Sequence, residues 1–267
     1  MVLLYIPPVQ NLLRREVTAY ASKATGMQIQ VERIDLRFPL NLLVRGVEVI
    51  QQPDTLLSLE SLNVRVQAWP LLKGKVEVDE VTLSQVAVNS ANLIEGMQIK
   101  GVLGRFFLQS HGVDLSNETA VVNRTELSDT HIQLLMTDTT TTPKDTTASA
   151  PVNWKVNLHQ LKLKNVSFGM KLPADSMKMA AYIGEATIDD AKADLKNQFY
   201  GLKQFLLSGA SASYDTGEAQ PSEGFDASHM AVRNIRIGLD SLLYEGRNMN
   251  AVIREITMEE RSGLSIT

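Results

Sequence analysis

Residues 75–88 read KVEVDEVTLSQVAV. The apolar residues fall in pairs: Val76 and Val78, Val81 and Leu83, Val86 and Val88. Each pair alternates like a strand with one buried face. Between pairs the phase slips by one residue, so that a regular strand would turn successive pairs to opposite sides. One extra residue at each slip, a β-bulge, returns them to one face and bends the strand. The stretch therefore predicts a strongly curved strand with a single apolar face.

The same spacing recurs in WKVNLHQLKLKNVSF, residues 154–168, as Val156 and Leu158, Leu161 and Leu163, Val166 and Phe168. Simpler alternation surrounds both stretches. Val64 and Val66 close one run before Trp69-Pro70, and Ile235 and Ile237 lie in another near the end of the chain. A solenoid of five-residue rungs is the competing reading, but the period fades after three rungs and repeats of that kind need many.

One helix stands out before the strands. In Pro8–Thr25 the residues Val9, Leu12, Leu13, Val17, Tyr20, Ala21 and Ala24 recur at helical spacing, with Pro8 suited to the first turn and Gly26 to the position past the end. Its apolar side is expected to cover one end of a core or to lie near a membrane surface. A helix of this length reaches about 27 Å. A dozen strands side by side would extend about 60 Å. The helix cannot cover such a sheet, so the sheet folds over on itself or forms an apolar trough. A trough of that size needs a ligand, and its shape suits a long, thin, greasy one.

Composition narrows the function. The 267 residues carry a formal net charge of −4 and no cysteine. Disulfides and thiolate chemistry are excluded, and nucleic-acid binding has no electrostatic support. The four histidines lack metal-ligand spacing, and no phosphate-binding loop, dinucleotide fingerprint or nucleophile elbow is present. No catalytic residue, metal or cofactor is expected, and the chain does not read as an enzyme.

Two longer stretches carry a resemblance: PPVQNLLRREVTAYASKATGMQIQVERIDLRFP, and DTLLSLESLNVRVQAWPLLKGKVEVDEVTL. With the later EITMEERSGLSI, they resemble the N-terminal region of TamB-like proteins of the AsmA-like superfamily, in the Bacteroidota form. The order of helix, Gly26, paired strands, Asp54-Thr55-Leu56-Leu57 and Leu71-Leu72-Lys73-Gly74 carries the likeness. The resemblance implies a long, curved, antiparallel β-sheet folded into an open apolar groove and anchored in the inner membrane of a Gram-negative bacterium. It implies a periplasmic lipid-transfer bridge for phospholipid acyl chains. It also implies a role in outer-membrane protein assembly or secretion with a partner barrel. Val2, Leu3, Leu4, Tyr5 and Ile6 would be the tail of the anchor.

On this reading residues 1–7 are the anchor remnant, 8–26 the helix, 27–137 and 153–267 two parts of the groove, and 138–152 a flexible Thr-rich loop. The chain is then expected to be a fragment of a longer protein. The groove lining is assigned to Val64, Val66, Val76, Val78, Val81, Leu83, Val86, Val88, Val156, Leu158, Leu161, Leu163, Val166, Phe168, Ile235 and Ile237.

Overall fold

The computed structural model describes residues 7–69, 77–91, 93–114, 117–137, 153–217 and 220–266. Val2 to Ile6, Leu71 to Gly74, Val76 and the Thr-rich segment 138–152 lie outside the described residues. Among the described residues one α-helix, α1 (Pro7–Thr25), precedes thirteen strands. These are β1 (Gln28–Arg37), β2 (Asn41–Gln51), β3 (Asp54–Val66), β4 (Val78–Asn89), β5 (Met97–Asp114), β6 (Thr119–Met136) and β7 (Lys155–Leu172). There follow β8 (Met177–Asp194), β9 (Phe199–Leu202), β10 (Gln204–Asp215), β11 (His229–Glu245), β12 (Asn248–Glu260) and β13 (Ser265–Ile266).

All thirteen belong to one sheet, in chain order except for β9, which joins the ends of β8 and β11. The sheet continues across the Thr-rich segment, from β6 to β7. There the expectation of an antiparallel sheet is corrected: β6 and β7 run parallel, with Thr119 beside Lys155 and Leu135 beside Lys171. A hairpin cannot join parallel neighbours, which need a connection of a dozen residues or more. Residues 137–154 supply one, so the sheet is mixed.

The two phase slips of β4 have different causes. At the first, Arg65 faces Glu80 but Val66 faces Val78, so Asp79 is the extra residue of a bulge. At the second no residue is inserted: Ser61 faces Ser84 and Leu59 faces Val86 in unbroken register. Gln85 instead adopts a left-handed backbone, φ +50°. The expectation of a bulge at both slips is corrected here.

The second slip is one member of a line across the sheet. From β1 to β10 the register places Glu32, Gly46, Glu60, Gln85, Gly104, Asp129, Asn165, Gly184 and Gly209 side by side. Gly46, Gln85, Asp129, Asn165 and Gly209 have φ between +50° and +62°. Their neighbours make room: a Cβ at Gly104 would sit 2.6 Å from that of Asp129, and one at Gly184 would sit 2.9 Å from the Gly209 carbonyl. Slips of adjacent strands thus fall together, so Leu83 and Val86, on either side of the line, each keep apolar cross-strand partners.

The helix contacts β1, and several of its side chains hydrogen-bond to that strand. Gln10 Nε2 donates to the Leu36 carbonyl (3.0 Å), Arg14 to that of Glu32 (2.7 Å), and Ser22 Oγ accepts from the Ile29 amide (3.1 Å). These residues stand at spacings of four and eight, on one helical stripe. Leu12 and Tyr20 face water, 58% and 77% exposed. The helix therefore lies along the open edge of β1. Exposed edges invite unwanted strand pairing, and a covering helix blocks it.

Candidate functional site

Cross-strand partners project from the same side of a sheet, a few ångströms apart. Register alone then collects the predicted residues into rows. Val81 lies between Val64 and Leu108, and the row continues through Thr125, Leu161 and Ile188 to Phe205. Leu83 lies between Leu62 and Phe106, in a row running through Leu127, Leu163, Ala186 and Leu207 to Ile237.

Beyond the left-handed line come two more rows. Val86 continues through Leu103, Thr130 and Val166 to Ile183. Val88 continues through Gly101, Ile132, Phe168 and Ala181 to Ala212. Ile235 faces Ala210 on β10. Val66 and Val78 pair with each other beyond the Asp79 bulge, and Val156 and Leu158 form a group with Ala120, Val122, Ala191 and Ala193.

These side chains are not sealed from solvent. Buried apolar residues among those described are Ile34, Leu40, Leu56, Ala186 and Ala210, and no large side chain is fully buried. The predicted residues on the rows are half-buried, with Val88 and Phe168 more open, at 38% and 39%. The chain exposes 17397 Å². A compact protein of its 29.5 kDa mass would expose about 11,500 Å². A second sheet packed over the rows would have buried them; the described strands form one sheet.

One row of the opposite parity is polar. Arg65, Glu80, Gln109, Arg124, Gln160, Asp189 and Gln204 form a row of register partners. Arg65 pairs with Glu80, Arg124 with Glu126, and Gln160 donates to Asp189 at 3.1 Å. Beside it, Lys203 Nζ (2.7 Å) and His159 Nδ1 (3.0 Å) meet the Asp190 carboxylate and hold its pKa below the ordinary value, the lysine contributing most. Among the described residues no three potential metal ligands come together.

Toward one end of β5–β8, β10 and β11 lies a cavity of about 1190 Å³. A further row reaches it: Leu134, Met170, Met179, Tyr214 and Met230. Met179 escaped the sequence reading because β8 is rich in alanine. Its signal is present all the same, as Met179, Ala181 and Ile183, then Ala186 and Ile188, then Ala191 and Ala193. Small side chains weaken the hydrophobic alternation without changing its phase.

Fold and site define a mainly β protein built on one mixed sheet, with a short N-terminal helix at its edge. Compared with known proteins, the chain matches no family model, and no curated protein sequence is significantly similar to it.

Proposed function

We propose that this protein is a lipid-carrying segment of the TamB-like, AsmA-like type, which holds phospholipid acyl chains along an open apolar β-groove. The observation that carries the reading is the set of aliphatic rows that cross the sheet, with no second sheet over them among the described residues. Transfer is by partitioning, not by catalysis. Each buried CH₂ contributes about 0.8 kcal/mol, so affinity grows with chain length and no single residue traps the lipid. Smooth rows of Val, Leu and Ile then let a chain slide.

On this reading the protein works in the periplasm of a Gram-negative bacterium and hands phospholipid toward the outer membrane. Inner-membrane attachment through the N-terminal segment belongs to the same proposal. Among the described residues no helix is long and apolar enough to cross a membrane. The exposed Leu12 and Tyr20 of α1 suit a helix held near a lipid surface.

A second reading is an assembly scaffold that, with a partner barrel, helps outer-membrane proteins fold or be secreted. It is favoured by β12, which pairs with β11 along its length but with β13 only at Met258 and Glu259. An open edge accepts an extended client strand through its backbone.

Native mass spectrometry of protein purified from cells without detergent separates the two. The lipid reading expects adducts of phospholipid mass, lost in Val81→Asp and Leu163→Asp while circular dichroism stays β. A bare wild-type chain that captures strand peptides would establish the scaffold instead.

A further inference from the structure

The cavity lies on the side of the sheet opposite the aliphatic rows. Gln98 and Lys100 line it while Ile99 between them does not, and His131 and Gln133 line it while Ile132 does not. Neighbours along a strand point to opposite sides. Leu134, Met170 and Met179 therefore belong to the far side and meet the cavity only as part of the sheet beneath it. Three rows of register partners shape the near side. The middle row is small: Gly169, Ala180, Ser213 and Ala231. One flank carries Lys171, Lys178, Asp215 and His229. The other carries His131, Ser167, Tyr182 and Ser211. The flanks stand about 13 Å apart along the strands, and the small row leaves the hollow between them. Nothing crowds Gly169, where an added Cβ would find its nearest atom 4.0 Å away, so backbone packing does not require a glycine there.

The first flank is cationic. Lys171 and Lys178 are direct register partners, and like charges placed directly opposite destabilise a sheet. Asp215, beside Lys178, is already used: it accepts the Gly217 amide at 2.7 Å and lies 3.5 Å from Nε2 of the buried His229. Lys100 and Arg261 line the same cavity, and among the described lining Asp215 is the one carboxylate. Among the described residues no ion pair engages Lys100, Lys171, Lys178 or Arg261. The second flank offers an imidazole, a phenol and hydroxyls, and no acid. His131 Nδ1 meets Ser167 Oγ there, and Gln133 Nε2 meets His131 Nε2 at 2.8 Å.

We infer that this cavity binds a small phosphorylated polyol of the sugar-phosphate class, with the phosphate at Lys171 and Lys178 and the hydroxyl-bearing ring over Gly169 and Ala180, toward Ser167 and Tyr182. The phosphate relieves the repulsion between the lysines. Neutral hydroxyls suit the second flank, which can both donate to them and accept from them. A cavity of about 1190 Å³ has room for such a molecule. The site lies on the opposite side of the sheet from the acyl chains of the lipid reading and does not depend on them. Both lysines are exposed, so salt screens the attraction.

The test titrates the full chain by calorimetry with glucose 6-phosphate, inorganic phosphate and glucose, at low and high salt. The expected result is binding of glucose 6-phosphate at least about tenfold tighter than of either other probe, weakening as salt rises. K171Q/K178Q is expected to lower that affinity at least about tenfold. Its thermal midpoint does not fall, because a like-charge pair has been removed. Gly169→Leu is expected to lower the affinity as much by filling the hollow, with β circular dichroism retained. Inorganic phosphate bound as tightly as glucose 6-phosphate overturns the sugar-phosphate assignment. No binding of glucose 6-phosphate, or an affinity that survives both variants, overturns the site. Phospholipid adducts are expected to persist in K171Q/K178Q, so the lipid reading stands or falls separately.

Discussion

Asn165 Nδ2 donates a hydrogen bond to Asp129 Oδ1 over 2.8 Å, and both residues have a left-handed backbone, with φ +54° and +53°. They stand side by side on β7 and β6, the one parallel pair of the sheet. In the antiparallel pairs from β2 to β6 and from β7 to β10, one strand of each pair is left-handed on this line and its partner is not. At the parallel junction both strands are. Two side chains that tolerate this backbone meet there and tie the change of direction together.

That arrangement makes residue 165 sensitive to shape rather than to polarity. A β-branched side chain is poorly accommodated in the left-handed region, at a cost of about 1–2 kcal/mol. Asn165→Val is expected to lower the unfolding free energy, read from urea denaturation, by an amount of that order. Asn165→Gly loses the hydrogen bond but relieves the backbone, and should stay within about 1 kcal/mol of wild type. Equal losses in the two variants would show that the hydrogen bond, not φ, matters.

Close approach predicts a contrast between two glycines. A Cβ at Gly184 would lie 2.9 Å from the Gly209 carbonyl, while at Gly169 the nearest atom is 4.0 Å away. Gly184→Ala is expected to destabilise by about 1–3 kcal/mol through forced backbone movement. Gly169→Ala should leave the unfolding midpoint unchanged or slightly raised. Chemical denaturation of both, followed by circular dichroism, is the check.

Parity across one strand gives a direct test of the floor. Leu83 lies on an aliphatic row, and the neighbouring Thr82 projects from the other side with Asn63 and Phe107 as partners. Leu83→Asp should eliminate phospholipid adducts, whereas Thr82→Asp should retain them at wild-type abundance. The reverse pattern would place lipid on the opposite side of the sheet.

Acid should loosen the β10–β11 connection before the rest. The Asp226 carboxylate accepts the amides of Ser222 (3.0 Å) and Ser228 (2.9 Å) and lies 3.1 Å from His229 Nδ1. These contacts, the two amides first, hold its pKa far below the ordinary 3.8. A carboxyl depressed on folding adds stability that is fully present above its unfolded value. That stability is lost as pH falls through the folded one. Amide exchange at Ser228 should therefore accelerate below about pH 4, and Asp226→Asn should flatten that dependence.

Removal of the helix should expose β1. Gln10, Arg14 and Ser22 meet backbone groups of Leu36, Glu32 and Ile29 that no strand pairs. Deletion of residues 1–25 is expected to yield edge-to-edge oligomers, detected by light scattering. A monomeric product with intact secondary structure would show that another feature protects the edge.

Much of this architecture was legible in order along the chain. The pairs Val81–Leu83 and Val86–Val88, and their counterparts in 156–168, mark where strands change phase because side chains alternate with a period of two. The helix boundaries followed from proline and glycine. What local pattern did not specify was the cause of each slip, a bulge at Asp79 and a left-handed residue at Gln85, since both restore the same face. Nor did it reveal that Gln10, Arg14 and Ser22 of α1 meet backbone groups of β1, the strand that follows the helix in the chain.

The sequence by itself determined the strands, their phase and the apolar residues each contributes, because these depend on neighbours along the chain. Tertiary structure decided the parallel join of β6 and β7, the alignment of slips into one line across the sheet, and the meeting of Lys171 with Lys178. Each of these depends on register between strands, which is set by hydrogen bonds and packing across the ladder and is written in no single segment.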